Sequence, residues 1–159
     1  MKKLLIFISI VLVSCGEPPL QFSADALNEV ALDISGNEIS LKQILDTHKE
    51  NTILIDVWAS WCGDCIQGFP KVKDLQSQFP EVEFVFLSVD KGEQRWRKSI
   101  NKYDLSGHHY YLPKGQKGAF GDFLNSNWIP RYMVVDEKGN IKLFKAKKAT
   151  DERLTEALK

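Results

Sequence analysis

The order of apolar and polar positions along the chain predicts strands that alternate with helices. Residues 53–58 and 83–89 form two nearly continuous apolar runs, which are typical of parallel strands covered on both faces. Shorter apolar or alternating runs predict further strands at 29–34, 39–41, 108–112, 132–135 and 141–144. Helices are predicted at 41–47, from just after residue 62 to about 79, and at 93–103, 119–124 and 151–158.

Turn residues connect several of these elements. The tetrapeptide Ser35-Gly36-Asn37-Glu38 predicts a hairpin between the first two strands, and residues 136–140 predict a second antiparallel hairpin near the end. Thr150 is predicted to cap the last helix. Strands that alternate with helices and close with a hairpin indicate an α/β fold with a mixed central sheet and helices on both faces.

Composition limits the number of domains and the class of partner. With 159 residues, of which 43% are hydrophobic, the chain is long enough for one domain with a substantial core. Lysine and arginine total 21, as do aspartate and glutamate, so no electrostatic feature suggests nucleic acid as a partner.

The N-terminus has the pattern of an export signal. Lys2 and Lys3 precede a short apolar run at 4–13 that is too short for a comfortable membrane span. The following Leu12-Val13-Ser14-Cys15 resembles the lipobox of bacterial lipoproteins, in which the signal is removed before an acylated cysteine. The alternative is an ordinary cleaved signal in which Cys15 is incidental.

On the lipoprotein interpretation the chain divides into three parts. Residues 1–14 are the signal peptide, 15–23 are a membrane-proximal tether attached by Cys15, and 24–159 are the folded domain. We therefore expect a protein of the cell envelope that is extracytoplasmic and anchored to a membrane by lipid. It would face the periplasm in a Gram-negative cell.

Two cysteines lie where the predicted strand 53–58 gives way to a helix. On a helix, Cys62 and Cys65 would be i,i+3 neighbours with Cβ atoms about 5–6 Å apart, so a modest adjustment could join them. A disulfide that closes so short a loop stabilises little, and reactivity is the better explanation. Because the start of a helix favours a thiolate, we assign Cys62 as the attacking nucleophile and Cys65 as the resolving thiol.

The residues between the two cysteines, Gly63 and Asp64, are expected to modulate this chemistry. Asp64 suits the first turn of a helix, but its charge beside Cys62 opposes ionisation and should hold the pKa of that thiol higher. A less stable thiolate makes the reduced protein more ready to give up electrons, which favours net reduction of substrate disulfides.

Other uses of a cysteine pair fit less well. A structural zinc site usually takes four ligands, and His108 and His109 would point to opposite faces of a strand. A haem attachment site needs histidine after the second cysteine, where Ile66 stands. We therefore predict no metal and no cofactor besides the two sulfur atoms, although an accidental cysteine pair remains an alternative.

The segment from Ile53 to Cys65, with Pro70 after it and Ile129-Pro130 near the end, resembles the thioredoxin fold. The stretch 90–130, with room for an additional helix and strand, resembles the membrane-anchored TlpA and ResA-like thiol-disulfide oxidoreductases. The resemblance covers nearly all of the predicted domain. It implies a thioredoxin-like mixed sheet with an N-terminal hairpin and an inserted helix-strand segment.

The resemblance also implies roles for individual residues. Pro130 matches the cis-proline that faces the active-site cysteines, and the backbone at Ile129 would pair with an extended substrate segment. Trp61 matches the tryptophan beside the nucleophile, unless it is an ordinary core aromatic. Asp56 matches the buried acid that assists deprotonation of the resolving cysteine, with a pKa raised by burial; the alternative is a carboxyl hydrogen-bonded within the sheet.

Two positions depart from the family pattern. Gly68 stands where many ResA-like reductases carry a glutamate. Arg131 follows the predicted cis-proline, where thioredoxin commonly has threonine; it could stabilise the Cys62 thiolate or attract acidic substrates, but we favour a solvated side chain. Trp96 and Trp128 are interpreted as packing residues.

These features predict a monomeric enzyme that exchanges dithiol and disulfide with protein partners. Sustained reduction would require a separate electron donor in the membrane. One alternative is a thiol peroxidase, in which Cys62 attacks hydroperoxide and Cys65 resolves the sulfenic acid. Another is a copper(I) metallochaperone that uses the two thiolates and a histidine.

Overall fold

All six residues of the strand Ile53–Trp58 are buried, because it runs through the middle of a mixed sheet. The computed structural model describes residues 17–125 and 127–159. From one edge to the other, the seven strands of the sheet are β2 (Glu38–Ser40), β1 (Val30–Leu32), β5 (His108–Tyr111), β4 (Glu83–Ser88), β3 (Ile53–Trp58), β6 (Arg131–Val135) and β7 (Ile141–Ala146).

The central three strands are parallel, and the outer pairs are antiparallel hairpins. Strands β3, β4 and β5 run in one direction, and β6 lies antiparallel to β3 on its other side. The hairpin β1-β2 is attached to β5, and β7 pairs with β6. The predicted α/β class, both hairpins and the helix-strand insertion after β4 are confirmed.

Within the described residues, six helices accompany the sheet. They are α1 (Ala24–Leu27), α2 (Leu41–Thr47), α3 (Gly63–Gln78), α4 (Glu93–Tyr103), α5 (Ala119–Leu124) and α6 (Glu152–Ala157), and a 3₁₀ turn covers Gly115–Lys117. Helix α2 begins with a capping box, in which the Ser40 and Gln43 side chains bond each other's backbone N–H groups. None of the helices in the described parts of the chain has the length and apolar character required to cross a membrane.

The cap of the last helix differs from the sequence prediction. Asp151, not Thr150, is the N-cap of α6, and its carboxylate accepts a hydrogen bond from the Arg153 backbone at 3.1 Å. The same carboxylate also pairs with the Arg153 side chain. Aspartate is as good an N-cap as threonine, so sequence preference alone did not separate the two neighbours.

The N-terminal segment contacts the domain from Leu20 onward. The Leu20 carbonyl accepts a hydrogen bond from the Ile141 backbone at 2.8 Å, and the Phe22 ring lies 5.4 Å from that of Phe123. The predicted signal peptide 1–14 and the predicted lipidation site Cys15 lie outside the described residues.

Candidate active site

Cys62 is the N-cap of helix α3, directly after the turn that follows β3. The Cys65 backbone N–H donates to Cys62 Sγ over 3.1 Å, so the first turn of the helix directs a donor at this sulfur. The two sulfur atoms are joined in a disulfide, with the Cα atoms 5.3 Å apart. Free N–H groups and the helix dipole would stabilise negative charge on Cys62 once the bond is reduced.

The two cysteines differ in exposure. Cys62 retains 6% of its accessible surface and Cys65 retains none. An external disulfide can therefore approach Cys62 from solvent, whereas Cys65 can be reached only through its neighbour. This difference supports the predicted order, in which Cys62 attacks and Cys65 resolves.

A buried carboxylate fixes the turn between β3 and the cysteines. Asp90, which is 3% exposed, accepts hydrogen bonds from the Ser60 backbone N–H at 3.0 Å and from the Ser60 hydroxyl at 2.6 Å. The Ser88 hydroxyl donates to the same carboxylate at 2.9 Å. Charge-assisted bonds of this kind are among the stronger ones in proteins, so Asp90 holds the approach to Cys62 in place.

Asp90 was not singled out from the sequence, although a signal for it existed. It lies two residues beyond the end of β4, and the parallel register aligns Trp58 of β3 with Ser88 of β4. Residues just past the carboxyl ends of adjacent parallel strands meet at one edge of the sheet. An acid at that point beside a cysteine motif is therefore a candidate for holding the turn.

The bond between Ile129 and Pro130 is cis, as the resemblance implied. The Ile129 carbonyl oxygen lies 3.7 Å from Cys62 Sγ, which places this backbone against the outer cysteine. Pro130 directly precedes strand β6, which is the antiparallel neighbour of β3. The chain thus brings together two motifs that are 67 residues apart.

Two exposed tryptophans flank the outer cysteine. Trp61 is 50% exposed and Trp128 is 60% exposed, and both line a shallow cleft of ≈ 270 Å³ that includes Cys62 and Ile129. Trp61 is therefore not a core aromatic. The interpretation of Trp128 as a packing residue is wrong, because it lies on the cleft rather than in the core, whereas Trp96 is fully buried as predicted.

Asp56 and Tyr132 form a buried polar pair beneath helix α3. They are directly opposite each other on β3 and β6, so their side chains lie on the same face of the sheet. Gly68 of α3 faces the Tyr132 hydroxyl, which shows that α3 covers this face. Cys65 and Gly68 are i,i+3 neighbours on the helix, so Cys65 also lies toward this layer.

The environment of Asp56 favours its protonated form. Both carboxyl oxygens are buried, and neither has a hydrogen-bond partner among the described residues. Desolvation raises the pKa of Asp56 to about 8, and burial together with the Asp56 charge raises the pKa of Tyr132 as well. The alternative interpretation, in which the Asp56 carboxyl is hydrogen-bonded within the sheet, therefore does not agree with the structure.

Arg131 is buried, not solvated as predicted. The side chain is 7% exposed, and its Nη1 donates a 2.8 Å hydrogen bond to the Pro130 carbonyl. Desolvation lowers the pKa of the guanidinium below its ordinary value. Arginine is mostly exposed in proteins, and this one is buried because β6 lies inside the sheet, between β3 and β7. Gly63 and Asp64 lie exposed in the first turn of α3, as expected.

A larger cleft of ≈ 560 Å³ adjoins the first cleft on the side of the cis-proline, and the two share Asp64 and Trp128. Its lining includes Asp64 and Lys71 of α3, Pro130, and the exposed Lys147 and Lys148 after β7. Three lysines against one aspartate give this cleft a net positive rim. It is large enough to hold side chains of a peptide laid across the active site.

Comparison with known proteins shows what this arrangement resembles. A family profile described as Thioredoxin-like matches residues 50–141. The chain is 30% identical over 112 residues to the thioredoxin-like protein YneN of Bacillus subtilis. The aligned region covers 68% of this chain and 61% of that protein. It is 26% identical over 116 residues to the thiol-disulfide oxidoreductase ResA of Oceanobacillus iheyensis, covering 65% and 59%. The chain therefore spans about three fifths of the length of these two curated relatives.

Solved structures give the same picture. A candidate thiol-disulfide oxidoreductase from Bacteroides vulgatus is 30% identical, with a TM-score of 0.68 over 91% of this chain and 89% of that one. A thiol-disulfide oxidoreductase from Bacteroides fragilis, at 18% identity, shares the fold with a TM-score of 0.68 over 83% of this chain and 98% of its own.

Proposed function

We propose, from the premise that this chain belongs to the thioredoxin-like family, that it is a thiol-disulfide oxidoreductase which reduces disulfides of protein substrates. One observation carries the proposal: a Cys62–Cys65 pair at the start of α3, with the outer sulfur 3.7 Å from the Ile129 carbonyl beside a cis-proline. The names of the relatives agree with this activity.

In the first step the Cys62 thiolate attacks one sulfur of the substrate disulfide. The substrate bond breaks, a mixed disulfide forms, and the second substrate sulfur leaves as a thiolate that takes a proton. In the next step Cys65 loses its proton and attacks Cys62 Sγ, which releases the first substrate sulfur as a thiol. Two electrons pass to the substrate, and the Cys62–Cys65 disulfide is restored.

Asp56 is suited to accept the proton of Cys65. It lies under α3 in the same buried layer, and a carboxyl with a pKa of about 8 is ionised in about a tenth of the molecules at pH 7. That pKa is close to the ordinary value of a thiol, so the proton can pass in either direction at little cost. Tyr132, also buried here, shields the transfer from water.

The cleft around Cys62 is suited to a polypeptide substrate. Trp61 and Trp128 offer exposed aromatic surface on either side, and the Ile129 backbone can hydrogen-bond an extended segment. The lysine-rich rim beyond Pro130 favours acidic segments near the substrate cysteine. Gly63 and Asp64 border the cleft at the point where a substrate sulfur would enter.

We place this activity outside the cytoplasm, on a lipid anchor at Cys15, with a separate membrane protein as the source of electrons. The charged and apolar pattern of residues 1–15 supports the anchor. Labelled fatty acid should be incorporated into the wild-type chain and not into Cys15→Ser. Incorporation that persists in the variant would remove the anchor from the proposal and leave the redox function untouched.

The redox function is tested by trapping substrates. Cys65→Ala removes the resolving thiol, so proteins attacked by Cys62 should stay attached through a disulfide that a reductant breaks. The matched control is the double variant that carries both Cys62→Ala and Cys65→Ala. Any protein that this variant still captures is assigned to Cys15. Equal capture by both variants, together with no reduction of a test disulfide by the wild-type protein, would contradict the proposal.

A further inference from the structure

Three potential metal ligands from separate elements meet where the parallel strands begin, at the end of the sheet opposite the cysteines. His48 is the C-cap of α2, Glu83 is the first residue of β4, and His108 is the first residue of β5. Glu83 aligns with Ile53, at the beginning of β3, whereas the cysteines follow its end. At about 3.3 Å per residue, this strand separates the two sites by roughly 16 Å.

The spacing of the three donors fits a tetrahedral ion. Their ligand atoms all lie within 4.8 Å of one another. Glu83 Oε2 is 2.7 Å from His108 Nε2 and 3.6 Å from His48 Nδ1. In a tetrahedral zinc site with bonds of about 2.0–2.2 Å, neighbouring ligand atoms are about 3.3–3.6 Å apart. The separation of Glu83 from His48 falls in this range and its separation from His108 is shorter, so a small rotation of the partly exposed His108 and Glu83 side chains would complete the geometry.

The buried member of the cluster is short of partners. His48 is 6% exposed, and its Nδ1 is too far from Glu83 for a hydrogen bond. Its Nε2 is buried and has no hydrogen-bond partner among residues 17–125 and 127–159. A cation bound at Nδ1 would supply the contact that Glu83 is too far away to make, and Nε2 would then carry the ring proton.

The three side chains are close enough to act together on one ion. The rings of His48 and His108 lie 4.0 Å apart, and the Glu83 carboxylate is the acid that faces both. The cluster can therefore offer two imidazole nitrogens and one carboxylate oxygen to a divalent ion.

We propose that His48, Glu83 and His108 bind one divalent transition-metal ion, with Zn²⁺ as the best match to the donor set. Two imidazoles and one carboxylate are ligands that zinc uses with a fourth, non-protein position. Glu83 and His108 are 32% and 43% exposed, so water can reach that position. The ion would link the end of α2 to the starts of β4 and β5 and would stabilise the folded state.

The test measures binding of Zn²⁺ to the full, untagged chain. The Cys62–Cys65 disulfide is kept oxidised and Cys15 is alkylated, so that thiolates cannot bind the ion. A titration against a chromophoric chelator should give one ion per chain, and the thermal midpoint should rise with Zn²⁺. His48→Asn, Glu83→Gln and His108→Asn should each weaken binding by at least about tenfold, since even the partners of metal ligands commonly contribute that much.

Two variants serve as matched controls. His109 faces away from the cluster, with its Nε2 2.9 Å from the Leu105 carbonyl and its ring stacked on Phe86, so His109→Asn should retain the affinity. Glu81 is exposed and lies just before β4, so Glu81→Gln should also leave binding unchanged.

Two results would overturn the proposal. One is the absence of saturable binding to the wild-type chain, and the other is binding that survives in the double variant of His48→Asn and His108→Asn. If His48→Asn does not fold, the half-exposed His108 decides the matter, since its replacement leaves the core intact. Wild-type affinity in a folded His108→Asn chain would equally contradict the site.

Discussion

The Tyr132 hydroxyl occupies the space into which a side chain at Gly68 would project. A Cβ at Gly68 would lie 2.8 Å from Tyr132 Oη, closer than such atoms approach in proteins, and 3.9 Å from the Ala149 Cβ. Tyr132 is fully buried in β6 and cannot move aside easily. A glutamate side chain would not fit at position 68, because Tyr132 of the sheet fills the space that it would need.

This contact predicts that the effect of Gly68→Ala on stability changes sign when the Tyr132 hydroxyl is removed. Replacement of glycine by alanine within a helix ordinarily stabilises by about 0.5–1 kcal/mol. Gly68→Ala should instead destabilise by about 1–3 kcal/mol, because the new methyl group overpacks against Tyr132. In a Tyr132→Phe background the hydroxyl is gone, and the same replacement should be neutral or stabilising. Urea unfolding of the four oxidised proteins measures this double-mutant cycle, and equal effects in both backgrounds would refute the clash.

Asp56 predicts a characteristic dependence of stability on pH. Its pKa is about 8 in the folded protein, against an ordinary value of 3.8 for an aspartate in contact with water. Between these values the folded state holds a proton that the unfolded state has lost, so the free energy of unfolding falls as the pH rises, by up to about 1.4 kcal/mol per unit. Above pH 8 this loss is complete, and below about pH 4 it is absent.

Asp56→Asn removes that titration and should be more stable than the wild type at pH 8. The advantage should shrink steadily toward pH 4. Unfolding of the oxidised proteins by urea across this range measures it, with Asp74→Asn, an exposed change on α3, as the control that shows no such trend. A constant difference between Asp56→Asn and wild type at all pH values would rule out a raised pKa.

Asp64 should restrain the reactivity of Cys62. It is exposed in the first turn of α3, two residues from Cys62. In the reduced protein, Asp64→Asn should lower the pKa of the Cys62 thiol, although solvent screening keeps the effect small. Alkylation of Cys62 at pH 6 should then be faster than in wild type. Asp74→Asn again provides the comparison, and an unchanged or higher pKa in Asp64→Asn would count against the idea.

Asp90 should contribute both to stability and to the order of the active-site turn. Asp90→Ala leaves the Ser60 backbone N–H and two serine hydroxyls without their acceptor, and we expect a loss of about 2–3 kcal/mol. Amide hydrogen exchange at Ser60 should accelerate at the same time. Ser60→Ala removes only the hydroxyl and should leave that amide protected. Slow exchange at Ser60 in Asp90→Ala would mean that the carboxylate does not hold the turn.

The sequence by itself determined most of the elements and the reactive pair, but the short helix α1 was not predicted. The continuous apolar run predicted β3, and the two-residue spacing at the start of a helix predicted the Cys62–Cys65 disulfide. The resemblance to thioredoxin, which rested on that segment and on Ile129-Pro130, is confirmed by the family match over 50–141 and by the cis bond. These features depend on neighbours in the chain, through periodicity and helix-end chemistry, which a sequence displays directly.

Only the tertiary structure decided which distant side chains meet. The contact between Ser60 and Asp90 depends on the register of two parallel strands, and the layer of Asp56, Tyr132 and Gly68 depends on which face of the sheet α3 covers. The burial of Arg131 and the exposure of Trp128 were mispredicted for the same reason. Register, crossover and packing are set by the whole core at once, so local patterns cannot specify them.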